Sequence, residues 1–394
     1  MKKLTAIVLA LVMVFALCAC GGNNDDPQTT DNGETAKVKA GLICLHDENS
    51  TYDANFINAF KAACEATGVD YEIKTNIEES QAAYDAAAEL AEAGCNVVFS
   101  DSYGHQSYVL QAAKEFPKVQ FTSCTGDTAL SDGVDNFHNA FAAIYQGRYI
   151  AGVAAGLKLN EMIANNEITA EQAVIGYVGA KPYAEVKSGY TSFLLGAQSV
   201  CPTATMKVVF TGSWYDETLE MESAQSLIKQ GCVLISQHAD SMGAPNACET
   251  AGVPNVAYNG STQEACPNTY IISSRIDWTP YFTYAIKAVQ SGENYDTDWC
   301  GDLSTGSVVL TELNEKVAAE GTADKLAEVE AAIKDGSLKV FATDTWTVGG
   351  KAVETYENEF FTGHECINDG VFTESVDRSA PYFDIDIDGI TILE

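Results

Sequence analysis

Basic residues are scarce in this sequence. Its 394 residues include 22 Lys and Arg against 55 Asp and Glu, so the formal net charge at pH 7 is -33. A surface this acidic repels nucleic acid and anionic lipid headgroups, and we therefore expect no nucleic-acid partner. Neutral and cationic small molecules remain compatible with it.

Long apolar runs are missing beyond the N-terminus, and paired cysteine motifs are missing throughout. No later segment approaches the roughly 20 apolar residues of a membrane-spanning helix, which excludes a permease. The cysteines beyond Cys20 contain no Cys-x-x-Cys pair, so we expect no zinc site and no other metal. With five histidines and no nucleophile motif, the sequence predicts no catalytic residue, no cofactor and no enzyme.

The N-terminus has the pattern of an exported lipoprotein. Lys2 and Lys3 precede an apolar run shorter than a bilayer span, as in a signal peptide. The sequence Leu-Cys-Ala-Cys that ends at Cys20 fits a bacterial lipobox, which predicts a signal peptide over 1–19 and a lipid on the Cys20 thiol. An ordinary secretory signal is the alternative. Residues 20–36 predict a flexible tether, so the expected location is the outer face of the cytoplasmic membrane, with membrane contact through the lipid only.

From residue 37 onward, short apolar strands alternate with amphipathic helices. This βαβα order predicts a parallel, doubly wound sheet. The pattern stops at a long helix predicted over 140–157 and then starts again, which indicates two similar α/β lobes. Alternating apolar residues from Phe383 to Ile390 predict a terminal edge strand. The predicted strands span 38–45, 70–74, 96–100, 119–123, 173–178, 205–210, 233–236 and 256–258, and the other predicted helices span 53–66, 80–93, 106–115, 184–199, 218–230 and 316–334.

The residues that follow the predicted strands are the candidates for ligand binding, because open parallel sheets bind ligands beyond the carboxyl ends of their strands. Asp, Ser and Asn in such places also cap helices, and Asp53 and Asp216 suit that role. Aromatic side chains do not cap helices, so capping does not explain why Tyr52, Tyr103 and Trp214 follow strands. His238 is interpreted as a cleft or supporting residue rather than as a catalytic base. The candidates are Tyr52, Asp53, Asp101, Ser102, Tyr103, Trp214, Asp240, Ser241 and Asn259.

Several segments resemble the basic membrane lipoprotein family. They include FAAIYQGRYIAGVAAGL at 141–157, VVFTGSWYDE at 208–217 and DRSAPYFDIDIDGI at 377–390, and the resemblance runs in order from residue 37 to residue 393. The resemblance implies a type I periplasmic-binding fold, in which two doubly wound, Rossmann-like lobes are joined by a hinge. It also implies a substrate-binding lipoprotein of an ABC importer that takes a purine nucleoside or nucleobase.

The family resemblance also implies roles for individual residues. Tyr52 and Trp214 fall at the two aromatic positions that sandwich the base, and Asp53 falls where members carry asparagine. Asp240 and Ser241 match the branch of the family that carries tryptophan. Many members carry Val-Asp-Ser-Asp after the last strand of the second lobe, where the two acids hold ribose hydroxyls. This chain has Tyr258-Asn259-Gly260-Ser261 there, without either acid, which favours a free base or another heterocycle. In this interpretation the ring nitrogens and exocyclic groups of the ligand form hydrogen bonds with Asp101, Ser102, Asp240 and Asn259. Arg275 or Asp277 lies at the rim of the cleft and closes it.

These expectations assign 37–135 and 262–304 to the first lobe and 136–261 and 305–350 to the second, with 351–394 as an extension packed on the lobes. The expected partners are a small-molecule ligand and an ABC permease, and the chain is expected to be a monomer. A receptor for a sugar or another small polar solute is one alternative. An extracellular nucleoside hydrolase is another, and a sensor that signals rather than imports is a third.

Overall fold

Two mainly parallel β-sheets organise the protein in its computed structural model. The structure describes residues 37–358 and 363–393, so the predicted signal peptide, Cys20 and the tether lie outside the described part of the chain. Within that part, no helix has both the length and the apolar character needed to cross a bilayer. The doubly wound α/β class predicted from the sequence is confirmed.

The first sheet has six parallel strands in the order β11-β5-β4-β3-β1-β2. Helices α1 and α9 pack on one face of it through residues such as Phe56, Phe60 and Phe282, and helices α2 and α3 cover the other face. We call this sheet with its helices the first lobe. Its elements are β1 (Lys39–Ile43), α1 (Thr51–Thr67), β2 (Asp70–Lys74), α2 (Gln81–Glu92), β3 (Val97–Ser100), α3 (Gln106–Glu115), β4 (Gln120–Cys124), α4 (Ala129–Asp132), β5 (Phe137–Ala142), α9 (Thr279–Ser291) and β11 (Asp298–Gly301).

The second sheet has seven strands in the order β12-β10-β9-β8-β6-β7-β15, and only the β10–β12 pair is antiparallel. Helices α5 and α6 pack on one face and α7 and α8 on the other. We call this sheet with its helices the second lobe. Its elements are α5 (Tyr145–Ala164), β6 (Val174–Gly179), α6 (Ala184–Val200), β7 (Thr205–Phe210), α7 (Glu217–Lys229), β8 (Leu234–His238), α8 (Gly243–Ala251), β9 (Asn255–Tyr258), β10 (Tyr270–Ile276), β12 (Val308–Leu310), α10 (Thr322–Lys334) and β15 (Ile390–Ile392).

The sequence prediction missed strand β5 and started the long helix too early. Residues 140–142 were predicted as the beginning of a helix, but Phe137–Ala142 is a strand and α5 begins at Tyr145. Every residue of β5 is buried, including the polar His138 and Asn139, so the strand does not alternate between apolar and polar residues. Without that alternation, periodicity does not distinguish a short buried strand from a buried helix. Helix α10 likewise begins at Thr322 rather than at residue 316.

The chain crosses between the lobes three times: from β5 to α5, from β10 to α9, and from β11 to β12. The boundary expected at 304/305 falls within the third crossing. Those expected at 135/136 and 261/262 fall one strand early, because β5 pairs with β4 in the first sheet and β10 pairs with β9 in the second. Periodicity along the chain shows that a strand exists, but hydrogen bonding between distant segments decides which sheet it joins.

The C-terminal segment, residues 363–393, contacts both lobes. The backbone N–H and hydroxyl of Ser379 donate to Asp298 of the first sheet, while Lys187 of α6 forms an ion pair with Asp386 (2.9 Å). The segment ends in β15, which pairs in parallel with β7 at the edge of the second sheet. The terminal strand predicted from Phe383 to Ile390 was placed too early, because residues 381–387 form no regular secondary structure and β15 begins at Ile390. A two-stranded antiparallel sheet of β13 (Ile367–Asn368) and β14 (Val371–Phe372) lies within the same segment.

Helices α5 and α6 approach each other closely at glycine. A Cβ atom placed on Gly152 would lie 2.0 Å from the carbonyl oxygen of Phe193, and one on Gly196 would lie 2.0 Å from that of Tyr149. Only glycine leaves room for backbones at this separation. The contact holds α6 against the second sheet and thereby sets where the N-terminus of α6, with Glu185, meets the first lobe.

Candidate ligand-binding cleft

The carboxyl ends of the two sheets face each other, and a small cavity lies between them. Its volume is about 20 Å³, close to the space that one water needs. The lobes touch directly beside it, because Thr51 donates from its N–H and its hydroxyl to the carbonyl oxygen of Asp240, both at 3.1 Å. A ring-shaped ligand can therefore enter only when the lobes separate. The cavity is lined by Leu45, His46, Tyr52, Ser102, Tyr103, Thr125, Glu185, Trp214, His238 and Asp240.

Tyr52 enters the cavity from the first turn of α1. Ser50 caps this helix by accepting from the N–H of Asp53 (3.2 Å), and the Tyr52 hydroxyl donates to the carbonyl oxygen of Asp101 (2.5 Å). Asp53 was expected as the cap or as a ligand contact, but it is fully buried beneath the cavity. Its carboxylate accepts from the Ser50 hydroxyl (2.6 Å) and from the N–H of His46 (2.7 Å), so it orders the loop that carries the lining residues.

Asp101 also lies under the cavity rather than in its wall. It is fully buried, and its carboxyl oxygen accepts from the N–H of Leu45 (3.1 Å). Burial raises the pKa of Asp101 well above its ordinary value, and the neighbouring Asp53 carboxylate adds to the effect. The pKa of Asp53 lies below its ordinary value, so Asp101 holds a proton more strongly than its neighbour does.

Trp214 reaches the cavity from the turn after β7. Gly212 has φ of +80°, a left-handed conformation that glycine adopts without steric cost, and this bend turns the chain toward the cleft. The half-buried Trp214 ring contacts Tyr183 edge-on at 5.8 Å, and the Lys181 ammonium lies 5.1 Å from the ring centroid. Asp216 caps α7 by accepting from the N–H of Leu219 (2.9 Å), as predicted.

Tyr215, the neighbour of Trp214, takes part in the contact between the lobes. Its ring lies 5.3 Å from the ring of His46, which belongs to the first lobe. The two adjacent aromatic residues therefore contact different parts of the protein. Trp214 lines the cavity, whereas Tyr215 meets the opposite lobe at the rim.

Glu185 and His238 form a polar pair in the cavity wall. Nε2 of His238 lies 3.2 Å from the Glu185 carboxylate, and burial lowers the pKa of His238, so the imidazole is neutral. The guanidinium of the fully buried Arg148 lies behind them, 3.4 Å from the centroid of the Tyr258 ring, and it donates to the carbonyl oxygen of Gln237 (3.0 Å). Sequence reasoning considered His238 but missed Glu185, which lies in the first turn of α6 rather than directly after a strand.

Four of the predicted site residues lie away from the cavity. Asn259, Arg275 and Asp277 line a separate groove of about 540 Å³ together with Thr51 and Asn55 of α1, and this groove shares no lining residue with the cavity. Ser241 is buried behind the cleft, where its hydroxyl accepts from the N–H of Gly243 (3.0 Å). The side chain of Asn259 reaches the site only indirectly, by donating to the Asp240 carboxyl (3.2 Å).

Glu220 anchors the loop that carries Asp240. Its buried carboxylate accepts from the N–H of Ser241 (3.2 Å) and from the N–H of Asp216 (3.1 Å). Burial raises the pKa of Glu220 from 4.5 to about 7. Between these pH values the folded chain holds a proton that the unfolded chain releases, so the stabilising contribution of this group decreases as pH rises through that window.

Glu220→Gln is expected to remove this dependence. The amide keeps an acceptor oxygen but does not titrate, so the variant should gain roughly 1–3 kcal/mol relative to the parent between pH 5 and pH 8. Urea unfolding at both pH values measures the difference. Glu222→Gln, at an exposed position of the same helix, is the control. An equal stability difference between Glu220→Gln and the parent at both pH values would contradict the assignment.

Comparisons with known proteins place these features in context. A family model described as "ABC transporter substrate-binding protein PnrA-like" matches residues 42–340. A purine-binding protein of Brucella abortus is 32% identical over 312 residues, covering 77% of this chain and 83% of that protein. A putative ABC transporter glucose-binding protein of Haloferax volcanii is 30% identical over 348 residues, covering 86% of this chain and 82% of that protein.

Solved structures show the same fold at lower identity. A solute-binding protein of an ABC transporter system from Aeropyrum pernix superposes with a TM-score of 0.65 at 17% identity, covering 77% of this chain and 92% of that one. One from Conexibacter woesei gives 0.61 at 20% identity, covering 77% and 98%. These likenesses concern the fold alone.

Proposed function

The chain belongs to the PnrA-like family of ABC transporter substrate-binding proteins, and from this premise we propose that it captures a purine, as nucleobase or nucleoside, between its lobes. A substrate-binding protein of this kind works outside the cytoplasm, is not an enzyme, and passes a small molecule to a permease. The ligand class is the proposed part. The lipid on Cys20 also belongs to the proposal, and labelling with radioactive palmitate that persists in Cys20→Ser would contradict it.

The observation that carries the proposal is the pair of aromatic side chains that the lobes contribute to one cavity. Tyr52 comes from the first lobe and Trp214 from the second, and both line the space between the carboxyl strand ends. Two rings from opposite lobes can hold a flat heterocycle when the lobes close on it, and offset stacking contributes about 0.5–1.5 kcal/mol per aromatic pair beyond burial. The purine-binding relative supports the same ligand class.

The polar residues of the cavity suit the edge of a purine. The Glu185 carboxylate accepts hydrogen bonds, and the neutral His238 beside it (3.2 Å) holds that carboxylate in place. Ser102 donates its hydroxyl proton to Glu79 (2.6 Å) and Thr125 donates to the carbonyl oxygen of Asp101 (3.3 Å), so both hydroxyl oxygens face the cavity as acceptors. A ring that carries N–H donors suits these acceptors, whereas a purely apolar ligand makes no use of them.

Binding requires a hinge motion, because the cavity is smaller than any ring. The three crossings at β5–α5, β10–α9 and β11–β12 connect the lobes and can act as the hinge. The hydrogen bonds from Thr51 to Asp240 hold the lobes in the closed arrangement. Closure around the ligand would then form the surface that the permease reads.

The proposal is tested by identifying the ligand. Mass spectrometry of small molecules released on denaturing the purified protein should show a purine, and calorimetry with adenine, guanine, hypoxanthine and their nucleosides should give saturable binding. Glucose is the rival ligand, favoured by the glucose-binding relative. Saturable binding of glucose with no heat from any purine would overturn the purine assignment and leave the transporter family intact.

A further inference from the structure

Three side chains of the kinds that bind metal ions converge beneath the cavity floor. Strands β1 and β3 are parallel neighbours, and Ile43 pairs in register with Ser100. The next residues of the two segments, Cys44 and Asp101, therefore lie side by side at the carboxyl end of the sheet. Asp53 joins them from the first turn of α1. The Sγ atom of Cys44 and one carboxyl oxygen each of Asp53 and Asp101 lie within 4.8 Å of one another.

His46 brings a fourth candidate ligand atom to the same place. Its Nδ1 atom is buried, forms no hydrogen bond, and lies 3.4 Å from the carboxylate of Asp53. The loop between β1 and α1 thus supplies both a thiol and an imidazole. We call Cys44, His46, Asp53 and Asp101 the floor cluster.

One oxygen of the floor cluster is buried without a partner. Asp101 is fully buried, and its Oδ1 accepts from the N–H of Leu45 (3.1 Å). Its Oδ2 has no hydrogen-bond partner among the described residues. A buried polar atom without a partner costs free energy, and this one belongs to a carboxyl group that adjoins Asp53 and Cys44. It is a ready ligand atom for a cation in the cluster.

The floor cluster also contains two acids without a basic partner. Asp53 and Asp101 are both fully buried, and no Lys or Arg of the described residues lies within 4.0 Å of either carboxyl group. Buried charges in proteins are paired or coordinate metals. A divalent cation would balance both carboxylates at once.

The kinds of ligand atom favour zinc over other divalent cations. Calcium and magnesium take oxygen ligands, whereas zinc takes thiolate, imidazole and carboxylate, usually four of them in a structural site. Zinc bonds of about 2.0–2.3 Å place the ligand atoms of a tetrahedron about 3.3–3.8 Å apart. The separations of up to 4.8 Å therefore need to shorten by at most about 1.5 Å.

We propose that the floor cluster binds one zinc ion as a structural site. Zinc forms a bond with each of the four side chains, and the protons held by the Cys44 thiol and the Asp101 carboxyl pass to solvent. No oxidant or reductant takes part. The expectation of no metal rested on the lack of Cys-x-x-Cys pairs, but this site needs only a single cysteine.

The zinc would connect three segments that carry cavity residues. These are the loop after β1 with His46, the first turn of α1 with Tyr52, and the end of β3 with Ser102. Such a site would fix the floor of the cavity, whichever ligand the cavity takes. The proposal is therefore independent of the purine assignment.

Metal content tests the site directly. The purified full-length protein, incubated with zinc sulfate and then desalted, should retain one zinc per chain by inductively coupled plasma mass spectrometry, and should retain neither calcium nor magnesium after the same treatment. Cobalt(II) in place of zinc should add a thiolate-to-metal charge-transfer absorption in the near ultraviolet. Zinc should also raise the melting temperature, because it binds the folded chain.

Cys44→Ser and Asp101→Asn should each weaken zinc binding by about 100-fold or more, since loss of an outer-shell partner alone costs about 10–100-fold. Cys44→Ser should also abolish the cobalt charge-transfer band. Cys95→Ser is the matched control, because Cys95 is another buried cysteine of the first lobe and lies outside the cluster. It should change neither zinc affinity nor the cobalt spectrum.

A parent protein that retains no stoichiometric zinc, or a Cys44→Ser variant that binds zinc as tightly as the parent, would overturn the site. Asp101→Asn distinguishes zinc from a proton shared by the two acids. With a shared proton only, the amide donates to Asp53 in its place, so the variant should melt at the parent's temperature and zinc should stabilise neither protein. If a variant does not unfold cooperatively, the zinc stoichiometry and cobalt spectrum of the parent decide.

Discussion

Trp214→Ala is expected to weaken purine binding by ~1–3 kcal/mol, a factor of about 5 to 150 in the dissociation constant. The ring lines the cavity and contacts Tyr183, and its backbone is held in place by the N–H of Asp240, which donates to the carbonyl oxygen of Trp214 (3.0 Å). The alanine variant keeps that backbone bond and loses only the aromatic face. The measured loss should therefore report stacking rather than a collapsed loop.

Trp214→Phe is the matched control, because it keeps a flat ring of smaller area and should recover most of the affinity. Calorimetry gives the dissociation constants. Intrinsic fluorescence supplies a second readout, since Trp214 is one of four tryptophans and its ligand-dependent signal should vanish in both variants. An alanine variant that binds purine as tightly as the parent removes Trp214 from the site and leaves the aromatic sandwich without its second ring.

Gly152→Val is expected to lower the free energy of unfolding by ~3 kcal/mol or more. A Cβ at Gly152 would lie 2.0 Å from the carbonyl oxygen of Phe193, and Val places two further carbons beyond it. The neighbouring atom belongs to the backbone of α6, so relief requires the two helices to move apart. Overpacking of a core typically costs about 1–3 kcal/mol even where side chains can adjust.

Urea unfolding of Gly152→Val against Ala164→Val isolates this effect. Ala164 is an exposed residue at the end of the same helix, where Val should cost less than ~1 kcal/mol through helix propensity alone. Movement of α6 would also shift Glu185, so ligand affinity should decrease in the same variant. Similar stabilities for the two variants would show that the interface between α5 and α6 tolerates a side chain at position 152.

Strand-end reasoning identified half of the residues that line the cavity, and their contact with a ligand stays a prediction. Tyr52, Ser102, Tyr103, Trp214 and Asp240 all line the cavity, and each follows a strand that the sequence pattern had identified. The same rule placed Asn259 there, but β9 lies near the hinge end of its sheet and its carboxyl end opens into the other groove. Strand order is set by pairing between distant segments, so the hydrophobic pattern of the sequence does not predict it.

Asp53 and Asp101 show a second limit of predicting a site from strand ends. Both come after a predicted strand, yet both lie beneath the cavity floor, where their carboxyl groups accept hydrogen bonds from the backbone of the loop after β1. A carboxylate that orders a loop and one that reads a ligand occupy the same kind of position in a sequence. Only burial and hydrogen-bond partners distinguish them.

The sequence by itself determined that this protein has two α/β lobes, which strand ends carry aromatic residues, and to which family the chain belongs, since those properties depend on local periodicity and on motifs of neighbouring residues. The tertiary structure alone decided that Glu185 joins His238 in the cavity wall, that Arg275 and Asp277 face another groove, and that the C-terminal segment contacts both lobes. Each of these depends on contacts between residues tens to hundreds of positions apart, such as Lys187 with Asp386. Packing creates such contacts, and no local pattern specifies them.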